Sequence, residues 1–248
     1  MKTTGNTIFI TGGTSGIGRG LALRFHQAGN TVIIAGRRQD LLDAMVAEYP
    51  GLEAVFLDVQ DPDSIAAAYT TVTSAHPDLN VLVNMAGVML PENLLDPASL
   101  AVAEATITTN LLGPIRVLNA FLPFLTEQGD AVVMNVSSGL AFVPLPFTPT
   151  YNATKAAIHS YTESLRVQLA ETSVQVMELI PPAVQTALMG QENLATAMPL
   201  EEYLSEVMGI FENEPQATQI IVERVKFLRF AEATGSYDTV LNLLSGHS

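Results

Sequence analysis

The chain has 248 residues, 48% of them hydrophobic and 15% charged, with a formal net charge of -14 and no cysteine. That composition excludes a disordered chain, and its length suits a single α/β domain with a sizeable core. The negative balance repels nucleic acid and anionic lipid, and the missing thiols exclude disulfides and thiolate metal sites; an anionic ligand therefore needs a local cationic site.

In chain order, the apolar run NTIFIT leads into the glycine-rich turn TGGTSGIG at residues 11–18. GRGLALRFHQAG follows with apolar residues at helical spacing and a C-capping Gly29. TVIIAG reads as a second strand, and QDLLDAMVAEYPG as a helix stopped by Pro50 and Gly51. AVFLDV is a third strand, DPDSIAAAYTTVTSAHP a helix opened by Asp-Pro, and NVLVNMAG a fourth strand. A helix over residues 100–125, the strand DAVVMNVSS, a helix over 151–171 and the strand SVQVMELIPP continue the alternation. Strands apolar almost throughout and separated by helices predict a doubly wound, Rossmann-type parallel sheet with helices on both faces.

Residues 186–211, rich in Met, Leu, Ala and Glu, follow the sixth strand without an obvious partner strand and read as a small helical flap. In the mixed tail at 220–244, VERVKFLRFAEATG reads as a helix ending near Gly235. No linker or repeat divides residues 1–248, so one domain is expected. The N-terminus lacks a long apolar segment, which makes cytoplasm the default location. The uncharged stretch between Asp130 and Lys155 holds three prolines, Asn135 and Asn152, a composition unsuited to bilayer hydrocarbon.

Three motifs carry chemistry. In TGGTSGIG, Gly12 suits a tight turn, Gly16 a close backbone approach to pyrophosphate, and Gly18 close packing of helix on sheet. Thr14, Ser15 and Ile17 complete that cradle, and the helix N-terminus behind it offers free N–H groups and partial positive charge. After the second strand, the carboxylate that would bond the ribose hydroxyls of NAD is replaced by Gly36, with Arg37 and Arg38 following. Two guanidinium groups suit a 2′-phosphate, so NADP(H) is the expected cofactor. NVSSG then places Ser137 and Ser138 at the carboxyl edge of the sheet; Tyr151 stands 13 residues beyond Ser138, and Lys155 shares its helix face four residues later.

With these motifs in this order, nearly the whole chain resembles the short-chain dehydrogenase/reductase family. LDV at 57–59, NMAG at 84–87, TTNLLGP around Asn110, YNATK at 151–155 and IPPAVQT at 180–186 add to the likeness. The resemblance implies that Tyr151 is the proton donor and that Lys155 favours its phenolate and holds the nicotinamide ribose. It implies that Ser138, second of its pair, bonds the substrate oxygen, and that Asn110 holds a water linking Lys155 to solvent. Asp58 and Val59 would edge the adenine, Asn84, Ala86 and Gly87 would pass beside it and the ribose, and Pro181, Val184 and Thr186 would hold the carboxamide and phosphate. Met85 replaces the family's usual second asparagine, and Pro182 replaces a glycine and removes an N–H donor. The PP variant and LRFAEATGSYD resemble a bacterial subgroup named for D-alanine transfer to lipoteichoic acid, a name from which no substrate follows.

The resemblance also implies a homodimer or homotetramer built on the helices at 100–125 and 151–171. The apolar, proline-stiffened loop GLAFVPLPFTPT beside the reacting centre favours an uncharged or aromatic carbonyl. Leu188, Met189, Met198 and Leu204 of the flap either line that pocket or pack the flap onto the body. His26, His76, His159 and His247 show no ligand spacing, so no metal is expected, and His159 reads as a packing residue one turn beyond Lys155. The function expected is reduction of a ketone or aldehyde by NADPH. The same residues also serve an NADP-linked alcohol dehydrogenase running in reverse. A nucleotide-sensing protein without turnover would be marked by loss of Tyr151 or Lys155, and both are present.

Overall fold

The computed structural model describes residues 1–246, so His247 lies outside the described residues. Among them, seven parallel strands are ordered β3-β2-β1-β4-β5-β6-β7. The strands are β1 Thr7–Thr11, β2 Thr31–Gly36, β3 Leu52–Phe56, β4 Val81–Asn84, β5 Ala131–Val136, β6 Val174–Leu179 and β7 Gln219–Ile220. The helices are α1 Gly16–Gln27, α2 Gln39–Glu48, α3 Pro62–Ala75, α4 Ser99–Ile107, α5 Gly113–Thr126, α6 Pro149–Gln168, α7 Leu200–Asn213, the short α8 Lys226–Arg229 and α9 Tyr237–Leu244.

Every residue of β1, β4 and β5 is buried, which is why these strands are apolar runs and not alternations. Successive side chains point to opposite faces, so the sheet feeds two cores. Ile8, Ile10, Val32 and Ile34 meet Leu21 and Phe25 of α1 on one face. Phe9, Ile33, Leu82 and Val133 meet Val72 of α3 and Phe121 of α5 on the other, with Phe9 stacked on Phe121 at 5.1 Å between centroids. Ile8 registers with Val32 on one side and Val81 on the other, placing the reversal of strand order at β1. Ligands of doubly wound sheets bind outside the carboxyl ends at that point.

Three elements differ from the sequence reading. The helix expected over 100–125 is broken into α4 and α5 by a π-helical turn at Thr108–Leu112, where the Gly113 N–H donates to the Thr108 carbonyl five residues back. Pro114 has no N–H, so the carbonyl of Asn110 lacks the usual i+4 donor and the helix widens there. The tail helix expected from Val222 is instead a 3₁₀ turn at Glu223–Val225, then α8 and turns running to Gly235 at φ +70°. Before it lies β7, whose two residues pair with Glu178 and Leu179.

The flap is a 3₁₀ segment at Leu188–Asn193 followed by α7, and its base is closed by a bridge between Val184 and Met198. The helix α7 lies so close on α1 that a Cβ on Gly20 would stand 2.3 Å from Leu204 Cδ1. Phe25 and Phe211 pack across the same interface. Met198 and Leu204 are therefore buried core residues and do not line a pocket; Leu188 and Met189 remain at the flap's edge. No helix among the described residues is long and apolar enough to cross a membrane, and no group of potential metal ligands occurs among them.

Candidate active site

The loops leaving β1, β4, β5 and β6 converge at the carboxyl edge. Thr11 ends β1, and its hydroxyl accepts the N–H groups of Met85 and Ala86 at 3.0 and 3.1 Å, which lays the NMAG segment across that edge. Gly12 has φ +70°, and a Cβ there would stand 2.8 Å from the Ala86 Cα. A Cβ on Gly18 would stand 2.3 Å from the Gly12 carbonyl oxygen, so the turn and the helix behind it close only with glycine. Gly16, at φ +52°, faces Thr186 Cγ2 at 3.3 Å from its ideal Cβ position. Ile17 packs partly buried against the core.

Arg38 folds back over this turn, donating to Thr14 Oγ1 at 3.1 Å and to Ser15 Oγ at 2.9 Å, while Arg37 is exposed beside it. Two hydroxyls, one guanidinium and the α1 N-terminus thus surround one spot, a donor set that fits a phosphate. Asp58 accepts the Gln60 N–H at 3.0 Å, and Val59 is buried where a Cβ on Gly113 would be 2.9 Å from its Cγ2. Two residues expected at the cofactor, Asn84 and Val184, point their side chains inward. Asn84 donates to Asn135 Oδ1 within the sheet, and its own Oδ1 is buried without a partner. Val184 packs in the core. Pro181 ties loops together, its carbonyl accepting the Gly139 N–H at 2.9 Å.

Tyr151 and Lys155 lie in the first turns of α6, which opens on Pro149, a residue preset for that position. Both are buried. Lys155 Nζ donates to the Val136 carbonyl at 2.8 Å and lies 5.6 Å from the centre of the Tyr151 ring. Burial pushes the Tyr151 phenol up to about 12, against a downward pull from the Ser138 hydroxyl, and burial lowers the Lys155 ammonium to about 8. At neutral pH the phenol holds its proton, and the ammonium holds one it can readily yield. Ser138 also accepts the Leu140 N–H at 3.1 Å, which fixes its hydroxyl at the end of β5.

Asn110 sits in the π-helical turn. Its side chain grips Val88, accepting the backbone N–H at 2.8 Å and donating to the carbonyl at 2.7 Å. This brings Gly87 between Asn110 and Lys155: a Cβ there would lie 3.3 Å from Asn110 Oδ1 and 3.8 Å from Lys155 Nζ.

Two carboxylates support this centre without any local sequence signal. Glu92, in the loop after β4, accepts the Thr150 N–H at 2.9 Å and the Thr150 hydroxyl at 2.7 Å, capping α6 one residue before Tyr151. Glu178, fully buried in β6, accepts the Ser137 hydroxyl at 2.5 Å and a Gln219 N–H at 3.0 Å, and His159 Nδ1 lies 2.9 Å from it. His159 is thus more than a packing residue: it partners a buried carboxylate while meeting Phe142 edge-on at 4.8 Å.

The family model for short chain dehydrogenase matches residues 6–197. The chain belongs to the short-chain dehydrogenase family. It is 37% identical to the uncharacterized oxidoreductase DltE of Bacillus subtilis (strain 168), covering 99% of this chain and 98% of that protein. It is 34% identical to a sulfoacetaldehyde reductase of Chromohalobacter salexigens, covering 72% of each. Its fold matches the crystal structure of a short chain dehydrogenase from Burkholderia cenocepacia in complex with NADP, with a TM-score of 0.83 at 24% identity and coverage of 97% and 99%. This short-chain dehydrogenase is an NAD(P)-dependent oxidoreductase by family, acting on small molecules.

Proposed function

We propose that this oxidoreductase is an NADP(H)-dependent carbonyl reductase, one domain in each subunit of a homodimer or homotetramer, with Tyr151 as proton donor. The observation carrying this reading is the buried pair on one face of α6, Tyr151 and Lys155, with the Ser138 hydroxyl acting on the same phenol. When bound, the reduced nicotinamide supplies a hydride. Gly12, Gly16, Thr14, Ser15 and Thr186 would hold the dinucleotide, with Arg38 and Arg37 on its 2′-phosphate and Lys155 on the ribose.

The chain's own task is the proton. A carbonyl carbon that gains a hydride leaves an alkoxide, which must be protonated as it forms. The Tyr151 hydroxyl gives its proton to that oxygen, and the Ser138 hydroxyl donates a second hydrogen bond that holds it in place. Lys155 returns a proton to the phenolate and stabilises it meanwhile. Asn110, whose carbonyl is freed by Pro114, marks the route by which Lys155 is recharged from solvent. Run backwards, the same steps oxidise an alcohol. Reduction is favoured because a relative covering 72% of the chain is named as reducing an aldehyde.

The phosphate assignment is tested by replacing both arginines. Arg37→Ala with Arg38→Ala removes two charge-assisted contacts worth about 1.5–3 kcal/mol each, so NADPH affinity should fall by at least about a hundredfold while NADH affinity barely changes. Equal losses for the two nucleotides, measured by calorimetric titration, would refute it.

A further inference from the structure

An open cleft of about 480 Å³ lies between residues 87–91 and 187–190. Its inner end is Gly87, next to Lys155 Nζ, and its outer rim includes Leu90 and Leu188, 42% and 38% exposed. The two segments read GVMLP and ALMG, so the lining offers only glycine, proline and apolar side chains, with neither charge nor hydrogen-bonding side chain. Beyond the rim, Phe147, Leu94 and Leu95 remain 50%, 75% and 94% exposed. The loops carrying them run side by side, because the Glu92 N–H donates to the Phe147 carbonyl at 2.9 Å. Glu92, the carboxylate of this rim, has both oxygens engaged by Thr150. A second hollow of about 500 Å³ between α2 and β3, lined in part by Asp43 and Glu53, lies away from these groups.

The apolar lining, with exposed leucines on the loop that continues from it, marks a surface suited to an apolar ligand. We propose that the substrate is an uncharged carbonyl compound carrying an extended apolar chain or ring, and that small anionic aldehydes are poor substrates. The proposal rests on the reductase reading, since it concerns the same site. Outward of Gly87, an anionic group in this cleft would lose its water without meeting a charged or hydrogen-bonding side chain, on a chain whose net charge is already -14. An alkyl chain gains with every methylene it buries against Leu90, Met89, Leu188 and Met189. Met189 stands at the cleft in the left-handed region, φ 57°, followed by Gly190 at φ 66°, so the flap bends there and offers a thioether that adapts to chains of different shape.

The test is a chain-length series. The 248-residue chain with saturating NADPH is assayed by nicotinamide absorbance against straight-chain aldehydes from propanal to decanal and against succinic semialdehyde. With each buried methylene worth about 0.8 kcal/mol, kcat/KM should rise roughly fourfold per carbon over the first few, and decanal should exceed the semialdehyde by at least about a hundredfold. A flat series, or preference for the semialdehyde, overturns the proposal and leaves the reductase reading standing. Calorimetric titration of the same aldehydes into the complex with oxidised NADP, which cannot reduce them, separates the two ideas. Binding that tightens with chain length in the absence of turnover upholds the apolar site and sinks the reductase; failure of the long aldehydes to bind sinks the proposal. As a further check, Leu188→Arg at the exposed rim should raise kcat/KM for succinic semialdehyde about tenfold, as one ion pair in a partly buried setting would. An unchanged value overturns the placement.

Discussion

A buried phenol and a buried ammonium on one helix face are shifted in opposite directions, and both shifts favour the neutral form. For Lys155 the ordinary value of 10.5 falls to about 8 through loss of hydration. Between those two pH values the unfolded chain still binds the proton that the folded chain has released, so this group makes folding more favourable as pH rises through that window. The difference in melting temperature between the native chain and Lys155→Met, both without nucleotide, should therefore move in favour of the native chain as pH is raised from 8 to 10. A constant difference would show that Lys155 is hydrated in solution. Reduction rates should fall over the same range, since the proton that resupplies Tyr151 is being lost. The shared face of Tyr151 and Lys155 was legible from their i, i+4 spacing on a helix, whereas Ser138 was singled out by the family resemblance. Glu92 and Glu178 were not, since their partners lie 58 and 41 residues away in sequence and their contacts exist only once β4, β6 and α6 are assembled.

The helix α6 shows how an element is held to its task. Its first turn carries Tyr151, yet Thr148, at the cap position, makes no capping bond; Glu92 supplies one from a distant loop. A carboxylate at a helix N-terminus satisfies free N–H groups and complements the dipole. Glu92→Ala should cost about 1–2 kcal/mol, seen in urea unfolding, and should lower kcat more than it weakens NADPH binding, because it loosens the turn that aims the phenol. Unaltered kcat with reduced stability would confine Glu92 to a structural role. At this scale β1, β2, β4, β5 and β6 and the helices between them were readable because both faces of the sheet are covered there and these strands are correspondingly apolar. Two-residue β7 has no periodicity to detect, and the π-helical turn at Asn110 depends on Pro114 refusing one hydrogen bond inside an otherwise helical pattern.

At the scale of the whole molecule, apolar residues remain in water away from the cleft. Leu100 and Ile107 of α4, Leu112 in the adjoining turn and Val167 near the end of α6 are 64%, 40%, 39% and 78% exposed. These are the helices that the family resemblance assigns to subunit contact, and apolar surface of this kind on a chain of net charge -14 would let like-charged subunits associate. A two-fold contact presents each residue twice, so one substitution places two new charges at the same interface. Ile107→Arg with Val167→Arg should bring the particle measured by light scattering down to the 26.5 kDa of one chain, without loss of the melting transition, because neither side chain is part of the buried core. A particle of unchanged size would move the subunit contact to another face of the molecule. Monomers that keep their chain-length preference would show that the cleft between residues 87–91 and 187–190 is complete within one subunit.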